Sequence, residues 1–321
     1  MPRKVLFLTL RIFSATGGIE KVCRVAGKAL YELSMQYGGW VRIFSMYGKK
    51  DKAIRNNYFP QTVFTGFNHN KIMYVLKSII IGRSSNVVLM SHINLLLVGI
   101  MIKIFNPAVK LVMITHGIEV WRPVAAWKKY LFGKVDLFLP VSHFTKDKMQ
   151  SLHGIREEKI SVLNNCLDPL LERPLQKVKA GYLLERYGLK AEHQILLTVS
   201  RMADTEQYKG YDRVLEALPD LVEQYPNLRY LMVGKYDNKE KQRIDAIINK
   251  LGLQHKIVFT GFVADEEMSP HFNLADILSC PAKRKALALF LLKPCFMVCL
   301  LLPVIKTDRW MPFAMENWVS W

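Results

Sequence analysis

The sequence predicts an α/β protein built from two Rossmann-like halves, each with a parallel sheet. Short apolar runs alternate with amphipathic helical patterns along most of the 321 residues, which is typical of βαβ units. The alternation stops once, in a polar stretch near the middle, and then restarts. A chain of this length with 50% hydrophobic residues can form two domain-sized cores.

The predicted elements fall into two sets. The first set comprises strands at 5–10, 41–45, 87–90 and 111–115 and a helix at 18–35. The second set comprises strands at 195–200, 229–233 and 256–260 and helices at 211–223 and 239–251. Ligands of such sheets bind beyond the carboxyl ends of the strands, so we expect a ligand cleft between the two halves.

The domain boundaries follow from composition. Residues 1–165 are predicted to form an N-terminal domain, and residues 166–190, rich in Lys and Glu, an exposed linker. Residues 191–282 are predicted to form a partial C-terminal domain. Residues 283–321 do not continue the pattern and are treated as a tail without native structure.

Charge and cysteine usage limit the possible environments. The net charge of +18 would attract an anionic membrane surface, a phosphorylated substrate or nucleic acid. The basic residues are scattered and no nucleic-acid motif occurs, so binding to nucleic acid is the weakest alternative. The five cysteines form no C-x-x-C pair, which favours a reducing cytoplasm. The apolar run at the start is too short for a signal peptide and predicts a first strand, without secretion.

Gly17 and Gly18 follow the first predicted strand and open an amphipathic helix. Paired glycines let the backbone approach a phosphate, and a helix N-terminus supplies amide donors. The alternative is a plain tight turn.

His116 and Gly117 stand directly after the strand at 111–115. A histidine at the end of a strand can donate a hydrogen bond to a substrate hydroxyl or phosphate. The alternative is a histidine bonded to a neighbouring loop.

Arg201 and Lys209 follow the first strand of the second half. A bidentate guanidinium and a point charge together suit a diphosphate, whereas an isolated pair would more often form surface salt bridges.

Several strings in this order resemble the family 4 glycosyltransferases over residues 4–281. They are Gly17-Gly18-Ile19-Glu20-Lys21, Thr115-His116-Gly117, Pro140-Val141-Ser142, Gly154-Ile155, Lys159-Ile160, Asn164-Asn165, Ser200-Arg201, Lys209-Gly210 and Val258-Phe259-Thr260-Gly261-Phe262. The resemblance implies the GT-B fold, in which two Rossmann-like domains face each other across a cleft. It implies that residues 1–165 form the acceptor-side domain and that residues 191–282 bind the nucleotide sugar. It also implies transfer of a sugar from a nucleotide-diphosphate sugar with retention of the anomeric configuration, to a glycan or lipid-linked acceptor.

The resemblance also assigns roles to individual residues. Gly17 and Gly18 would cradle the donor diphosphate, and His116 would touch the transferred sugar. Arg201 and Lys209 would neutralise the diphosphate leaving group, although seven residues separate them, which is longer than the family spacing. The last two assigned residues, Gly261 and Phe262, would lie near the nucleotide base. The family needs no metal and no cofactor.

The end of the chain departs from the family. Its members carry a Glu-x7-Glu element that binds sugar and ribose hydroxyls, and none stands after residue 282 here. Residues 286–305 have the length of a membrane span, but Lys293 and Pro294 near their centre argue against one. Back-translated into the neighbouring frame, residues 283–319 can encode E-G-F-G-I-V-F-I-E followed by G-L-P-V-I-A. We therefore interpret the tail as the product of a frameshift, which predicts an incomplete second domain and an inactive chain.

The sequence also suggests a site of membrane contact and an alternative function. A basic and aromatic cluster at Trp121, Arg122, Trp127, Lys128, Lys129 and Tyr130 suggests a lipid-linked acceptor and peripheral contact with the inner face of a membrane, the alternative being an ordinary solvated helix. A non-catalytic relic or partner subunit is the main alternative function.

Overall fold

A computed structural model describes residues 3–14, 17–48, 57–117, 119–166, 168–170, 178–264, 266–280 and 300–303. The chain divides into two compact units, with the boundary between residues 171 and 172.

The first unit alternates strands and helices in the order expected of βαβ units. Its elements are β1 (Lys4–Thr9), α1 (Gly18–Gln36), β2 (Trp40–Ser45), β3 (Phe64–Gly66), α2 (Lys71–Gly82), β4 (Val87–Met90), α3 (Leu96–Phe105), β5 (Lys110–Thr115), α4 (Ala126–Phe132), β6 (Leu137–Pro140) and α5 (His143–His153).

The strands of the first unit form one parallel sheet in the order β3-β2-β1-β4-β5-β6. Alternate residues of β1 enter two different cores, because successive side chains of a strand point to opposite faces. Leu6 and Leu8 pack with buried residues of α2, α3 and α5, whereas Phe7 packs with Cys23 of α1. Helix α1 therefore covers one face of the sheet, and α2 and α3 cover the other.

The second unit repeats the same architecture. Its elements are α6 (Gly181–Arg186), β7 (Gln194–Val199), α7 (Tyr211–Gln224), β8 (Leu228–Val233), α8 (Asn238–Leu251), β9 (Ile257–Gly261), α9 (Met268–Leu274), β10 (Ile277–Cys280) and β11 (Leu300–Pro303).

The second sheet is also parallel, in the order β11-β10-β7-β8-β9. Ile195 and Leu197 of β7 pack with α6 and α9 on one face. Leu196, between them, packs with α7 and α8 on the other face. Both units are thus three-layer Rossmann-like domains, which confirms the predicted fold class.

The ten elements predicted from the sequence are confirmed to within one residue at nearly every boundary. The pattern did not predict α2 and α3, whose apolar residues occur almost all around the helix. A helix with two apolar sides lacks the 3.6-residue periodicity that marks an amphipathic helix.

The second unit reaches into the range 166–190 that composition assigned to an exposed linker. Residues of α6 and the turn after it join its core, since Leu183 is fully buried and Leu189 nearly so. Arg186 forms an ion pair with Glu267, and the Tyr187 hydroxyl bonds His271 Nε2 at 2.8 Å. Composition misled here because the polar residues of this stretch lie on the exposed side of a short helix.

The expectation that residues 283–321 lack native structure does not hold for four of them. Strand β11, Leu300–Pro303, pairs in parallel with β10. An apolar run of leucines suits a strand that extends a parallel sheet. The rest of the tail, including the predicted frameshift junction, lies outside the described residues.

No helix among the described residues is both long enough and apolar enough to span a bilayer.

Candidate functional site

Gly17 and Gly18 form the N-terminus of α1, just beyond the end of β1. Gly17 is the N-cap residue, in an extended conformation, and no side chain caps the helix. A Cβ atom at Gly17 would meet only the end of the flexible Glu20 side chain. The helix has 19 residues and directs the amide groups of its first turn toward the loop, as anion-binding helix termini do.

His116 lies at the carboxyl end of β5, where one hydrogen bond holds its backbone and another holds its side chain. Its backbone N–H donates to the Glu119 carboxylate, and its Nε2 lies 3.0 Å from the carbonyl oxygen of Ser91. A carbonyl can only accept, so Nε2 carries the hydrogen and the neutral ring presents Nδ1 as an acceptor. Burial lowers the pKa of His116, which keeps the ring neutral near pH 7.

His92 is a neighbouring residue that sequence reasoning missed. It lies at the carboxyl end of β4, which pairs with β5, and its Nδ1 accepts the Asn94 N–H at 3.1 Å. The neutral ring therefore carries its hydrogen on Nε2 and presents a donor. Burial lowers the pKa of His92 as well. The two rings interact electrostatically, and together they offer one acceptor and one donor to a ligand.

The loop after β5 is held by contacts that leave it little freedom. Gly117 has a φ of +140°, and its carbonyl oxygen accepts the N–H groups of Val120 at 2.8 Å and Trp121 at 3.0 Å. The indole of Trp121 donates to Thr145 Oγ1 at 3.2 Å and packs edge-on against Phe144. Trp121 therefore supports the His116 loop from inside, unlike the exposed Trp127 and Tyr130 of the predicted basic and aromatic cluster.

Helix α1 and His116 are linked through one residue. The Ser91 side chain interacts with Cys23 of α1, whose pKa burial raises to about 12, and the Ser91 carbonyl oxygen receives the His116 hydrogen bond. The structure thus brings the α1 segment, His92 and His116 to the carboxyl edge of one sheet.

In the second unit, Arg201 and Lys209 lie close to a shared carboxylate. The Arg201 guanidinium is paired with Glu206, with Nε 3.1 Å from Oε2. Lys209 has a pKa lowered by burial, while Glu206 acts to raise it and Arg201 to lower it. The seven intervening residues therefore do not separate the two cations, because a 3₁₀ turn over Asp204–Lys209 folds them together.

This turn is anchored to α8 by hydrogen bonds to a buried and to an exposed carboxylate. The Glu240 carboxylate is fully buried and accepts hydrogen bonds from Tyr211 at 2.6 Å and Gln207 at 3.2 Å. The N–H of Asp204 donates to the N-cap residue Asp237 at 3.0 Å. The position of the Arg201 and Lys209 pair is therefore determined by α8 as well as by the loop itself.

Gly234 is a second residue that sequence reasoning missed, although a glycine directly after a strand was the available signal. It has a φ of +139°, and a Cβ atom there would collide with the carbonyl oxygen of Ser200. Its N–H donates to the Gly261 carbonyl oxygen at 3.0 Å. Gly234 thus joins the loop of Arg201 to the loop of Gly261 and Phe262, and the Phe262 ring is 60% exposed.

Among the described residues, no group of three or more His, Cys, Asp or Glu side chains is arranged to hold a metal ion.

The fold defines a class of protein: a GT-B protein, with one Rossmann-like domain on each side of the unit boundary. The family model for "Glycosyl transferases group 1" matches residues 183–308, which lie in the second unit and include Arg201, Lys209 and Gly261. This part of the chain is therefore similar to the glycosyltransferases of group 1.

Individual relatives agree with this class. A GDP-mannose-dependent alpha-(1-6)-phosphatidylinositol monomannoside mannosyltransferase of Mycolicibacterium smegmatis is 27% identical over 184 residues, 56% of this chain and 46% of that protein. Mannosylfructose-phosphate synthase of Agrobacterium fabrum is 22% identical over 153 residues, 46% of this chain and 33% of that protein. The chain matches between a third and a half of the length of these curated relatives.

Two solved structures share the fold. Anabaena HepE in complex with UDP has a TM-score of 0.67 at 16% identity and covers 93% of this chain and 79% of its own. A glycosyltransferase from Rickettsia africae has a TM-score of 0.67 at 17% identity, and the match covers 94% of this chain and 79% of that protein's chain. At this level of identity the likeness establishes the GT-B fold alone.

Proposed function

We propose that this chain is a form of a family 4 glycosyltransferase, an enzyme that transfers a sugar, with retention, from a nucleotide-diphosphate sugar to a glycan or lipid-linked acceptor. The observation that carries the proposal is the group 1 match over the unit in which a 3₁₀ turn at Asp204–Lys209 brings Lys209 close to Arg201. We place the reaction in the cytoplasm, because the five cysteines form no C-x-x-C pair.

The second unit supplies the chemistry of the leaving group. As the bond from the sugar to the diphosphate breaks, negative charge grows on the diphosphate, and Arg201 and Lys209 stabilise it electrostatically. This role requires Arg201 to exchange its Glu206 partner for phosphate oxygens. The proposal needs no metal ion and no cofactor, because the two cations supply the required charge. The exposed Phe262 ring offers a stacking surface for the base beside Gly261.

The first unit positions the sugar. Gly17 and Gly18 approach the diphosphate through backbone amides, and His116 accepts a hydrogen bond from a sugar hydroxyl through Nδ1. The tautomer corrects the sequence-based idea that this histidine donates, since its Nε2–H is already bonded to Ser91. His92 supplies the donor that His116 lacks.

The names of the relatives suggest a donor class. The mycobacterial mannosyltransferase is GDP-mannose-dependent, and HepE has been crystallised in complex with UDP and glucose. A nucleotide-diphosphate hexose is therefore the donor class that we propose.

The same proposal includes a frameshift near codon 283 and an inactive product. Its support is the absence of a Glu-x7-Glu element after residue 282, together with a back-translation in which the neighbouring frame can encode one. Without these carboxylates the donor's hydroxyl groups lose two acceptors. A non-catalytic relic that keeps the fold is thus the second candidate for the chain as written.

Hydrolysis of a panel of nucleotide sugars tests the proposal. A protein whose gene is read in the neighbouring frame from codon 283 should hydrolyse at least one donor, and the chain as written should not. Replacing Arg201 by Gln in the repaired protein should lower kcat by at least about a hundredfold, because one leaving-group contact is lost.

Two results would contradict this account. Turnover by the chain as written, at the rate of the repaired protein, would remove the frameshift part of the proposal. A well-folded repaired protein that hydrolyses no donor would remove the transferase part.

A further inference from the structure

Helix α2 of the first unit exposes an apolar stripe to solvent. Ile72, Leu76 and Ile80 are spaced four residues apart and therefore lie on one side of the helix, with Met73 beside them. The Ile80 side chain is 65% exposed. The opposite side, which carries Tyr74, is buried in the core of the unit. This helix is therefore apolar on two sides, and the core covers one of them.

Helix α3 has the same property. Leu97, Met101, Ile104 and Phe105 are exposed, and Ile104 is 68% exposed. The other side of the helix packs into the core through Leu96, Val98, Gly99 and Ile102. The two helices contact each other on the same face of the sheet, so their exposed apolar side chains belong to one surface, called here the α2–α3 face. Extended exposed apolar surfaces mark interaction sites.

The charges around this face have one sign. Residues 57–117 contain no Asp or Glu and five basic residues, which are Lys71, Lys77, Arg83, Lys103 and Lys110. Lys103 and Lys110 pair with Asp136. Among the described residues, no ion pair involves the three basic residues of α2 and its C-cap, all of which are exposed. An apolar surface rimmed by unpaired cations is complementary to anionic lipid head groups above an apolar interior.

We propose that the α2–α3 face docks the chain on an anionic lipid bilayer, with both helices lying in the plane of the surface. A second copy of the chain fits this face less well, because a symmetric contact would bring the cations of α2 near their own copies. The ten residues of α3 are too short to cross a bilayer and suit an interfacial position. The proposal does not rest on the proposed function, since none of the residues assigned to the reaction belongs to this face.

Vesicle flotation of the full chain tests this surface. The chain should float with vesicles of phosphatidylcholine and phosphatidylglycerol, and much less with phosphatidylcholine alone or at high salt. Replacing both Ile80 and Ile104 by Glu should lower the bound fraction at least about tenfold, because two inserted side chains become charged. The pair Ile80→Asn and Ile104→Asn should also weaken binding, which separates lost apolar contact from added negative charge.

The matched control lies on the opposite face of the same sheet. Leu33 and Met35 of α1 are 49% and 68% exposed, and replacing both by Glu adds the same charge. This control should float like the unchanged chain. The proposal is overturned if the unchanged chain stays at the bottom of the gradient, or if the control loses binding as much as the α2–α3 variants. It is also overturned if light scattering shows a dimer that only the α2–α3 variants dissociate.

Discussion

At the scale of single residues, the hydrogen bonds of two histidines determine what the first unit can offer a ligand. Ser91 takes the hydrogen of His116 Nε2, and the Asn94 N–H occupies Nδ1 of His92. The free nitrogens are therefore an acceptor on His116 and a donor on His92. Sugar hydroxyls can both donate and accept, so a pair of this kind suits two hydroxyls of a hexose.

Both rings should remain neutral above their ordinary pKa, because burial lowers the pKa of each. The unfolded chain then binds protons more readily than the folded chain. The contribution of the two histidines to the free energy of unfolding is therefore complete above about pH 6.5 and decreases as the pH falls below that value. Nitrogen-15 NMR of the imidazoles should show Nε2–H tautomers for both residues at neutral pH. An Nδ1–H tautomer at His116 would show that the bond to Ser91 is absent.

Glu206 is expected to compete with the donor for Arg201. Its carboxylate pairs with the guanidinium that we assign to the diphosphate, and it lies near Lys209. Glu206→Gln should therefore tighten binding of a nucleoside diphosphate by about threefold to tenfold, since one anion is removed from the site. Titration calorimetry measures this directly. Weaker binding by this variant would instead assign Glu206 a positioning role for Arg201.

At the scale of elements, the end of β8 organises the second unit's sheet edge. Gly234→Ala would force a side chain against the Ser200 carbonyl oxygen at a φ of +139°. We expect a loss of about 2 kcal/mol in the free energy of unfolding, together with weaker diphosphate binding, because the Arg201 loop must move. Gly181→Ala at the start of α6 meets open space and should change stability by less than about 1 kcal/mol. Equal effects of the two variants on binding would contradict this role of Gly234.

Much of the element pattern could be predicted from the sequence, and the exceptions have physical causes. Strands β7 and β8 were found because parallel strands are continuous apolar runs. Helices α2 and α3 were missed because their second apolar side, which forms the α2–α3 face, hides the helical period. Leu183 was missed because a single buried position in a polar stretch leaves little trace in composition.

Some features of the candidate site could also be predicted from the sequence, and others could not. His116 and Arg201 could be identified because each directly follows a strand, a position that the sequence reveals. The pairing of Lys209 with Arg201 was predicted, but the 3₁₀ turn that brings them together was not, since its partner, Glu240, lies on another helix. The tautomers of His92 and His116 depend on backbone groups of the β4 loop, which no residue pattern specifies.

At the scale of the whole molecule, the two units have separate tasks. The first unit carries the histidine pair and the α2–α3 face, which we assign to the sugar and to lipid contact. The second unit carries the cations for the diphosphate and the match to group 1 glycosyltransferases. The proposed loss of activity concerns the second unit, so membrane contact should survive in the chain as written.

The central claim is that the second unit binds a nucleotide diphosphate through Arg201, and titration of the full chain with UDP and GDP tests it most directly. We predict saturable binding of at least one of them, weakened at least about tenfold in Arg201→Gln. The control Arg186→Gln removes an arginine from another exposed pair with a glutamate and should bind normally. Absence of binding by the folded chain, or equal binding by Arg201→Gln and the unchanged chain, would contradict the account.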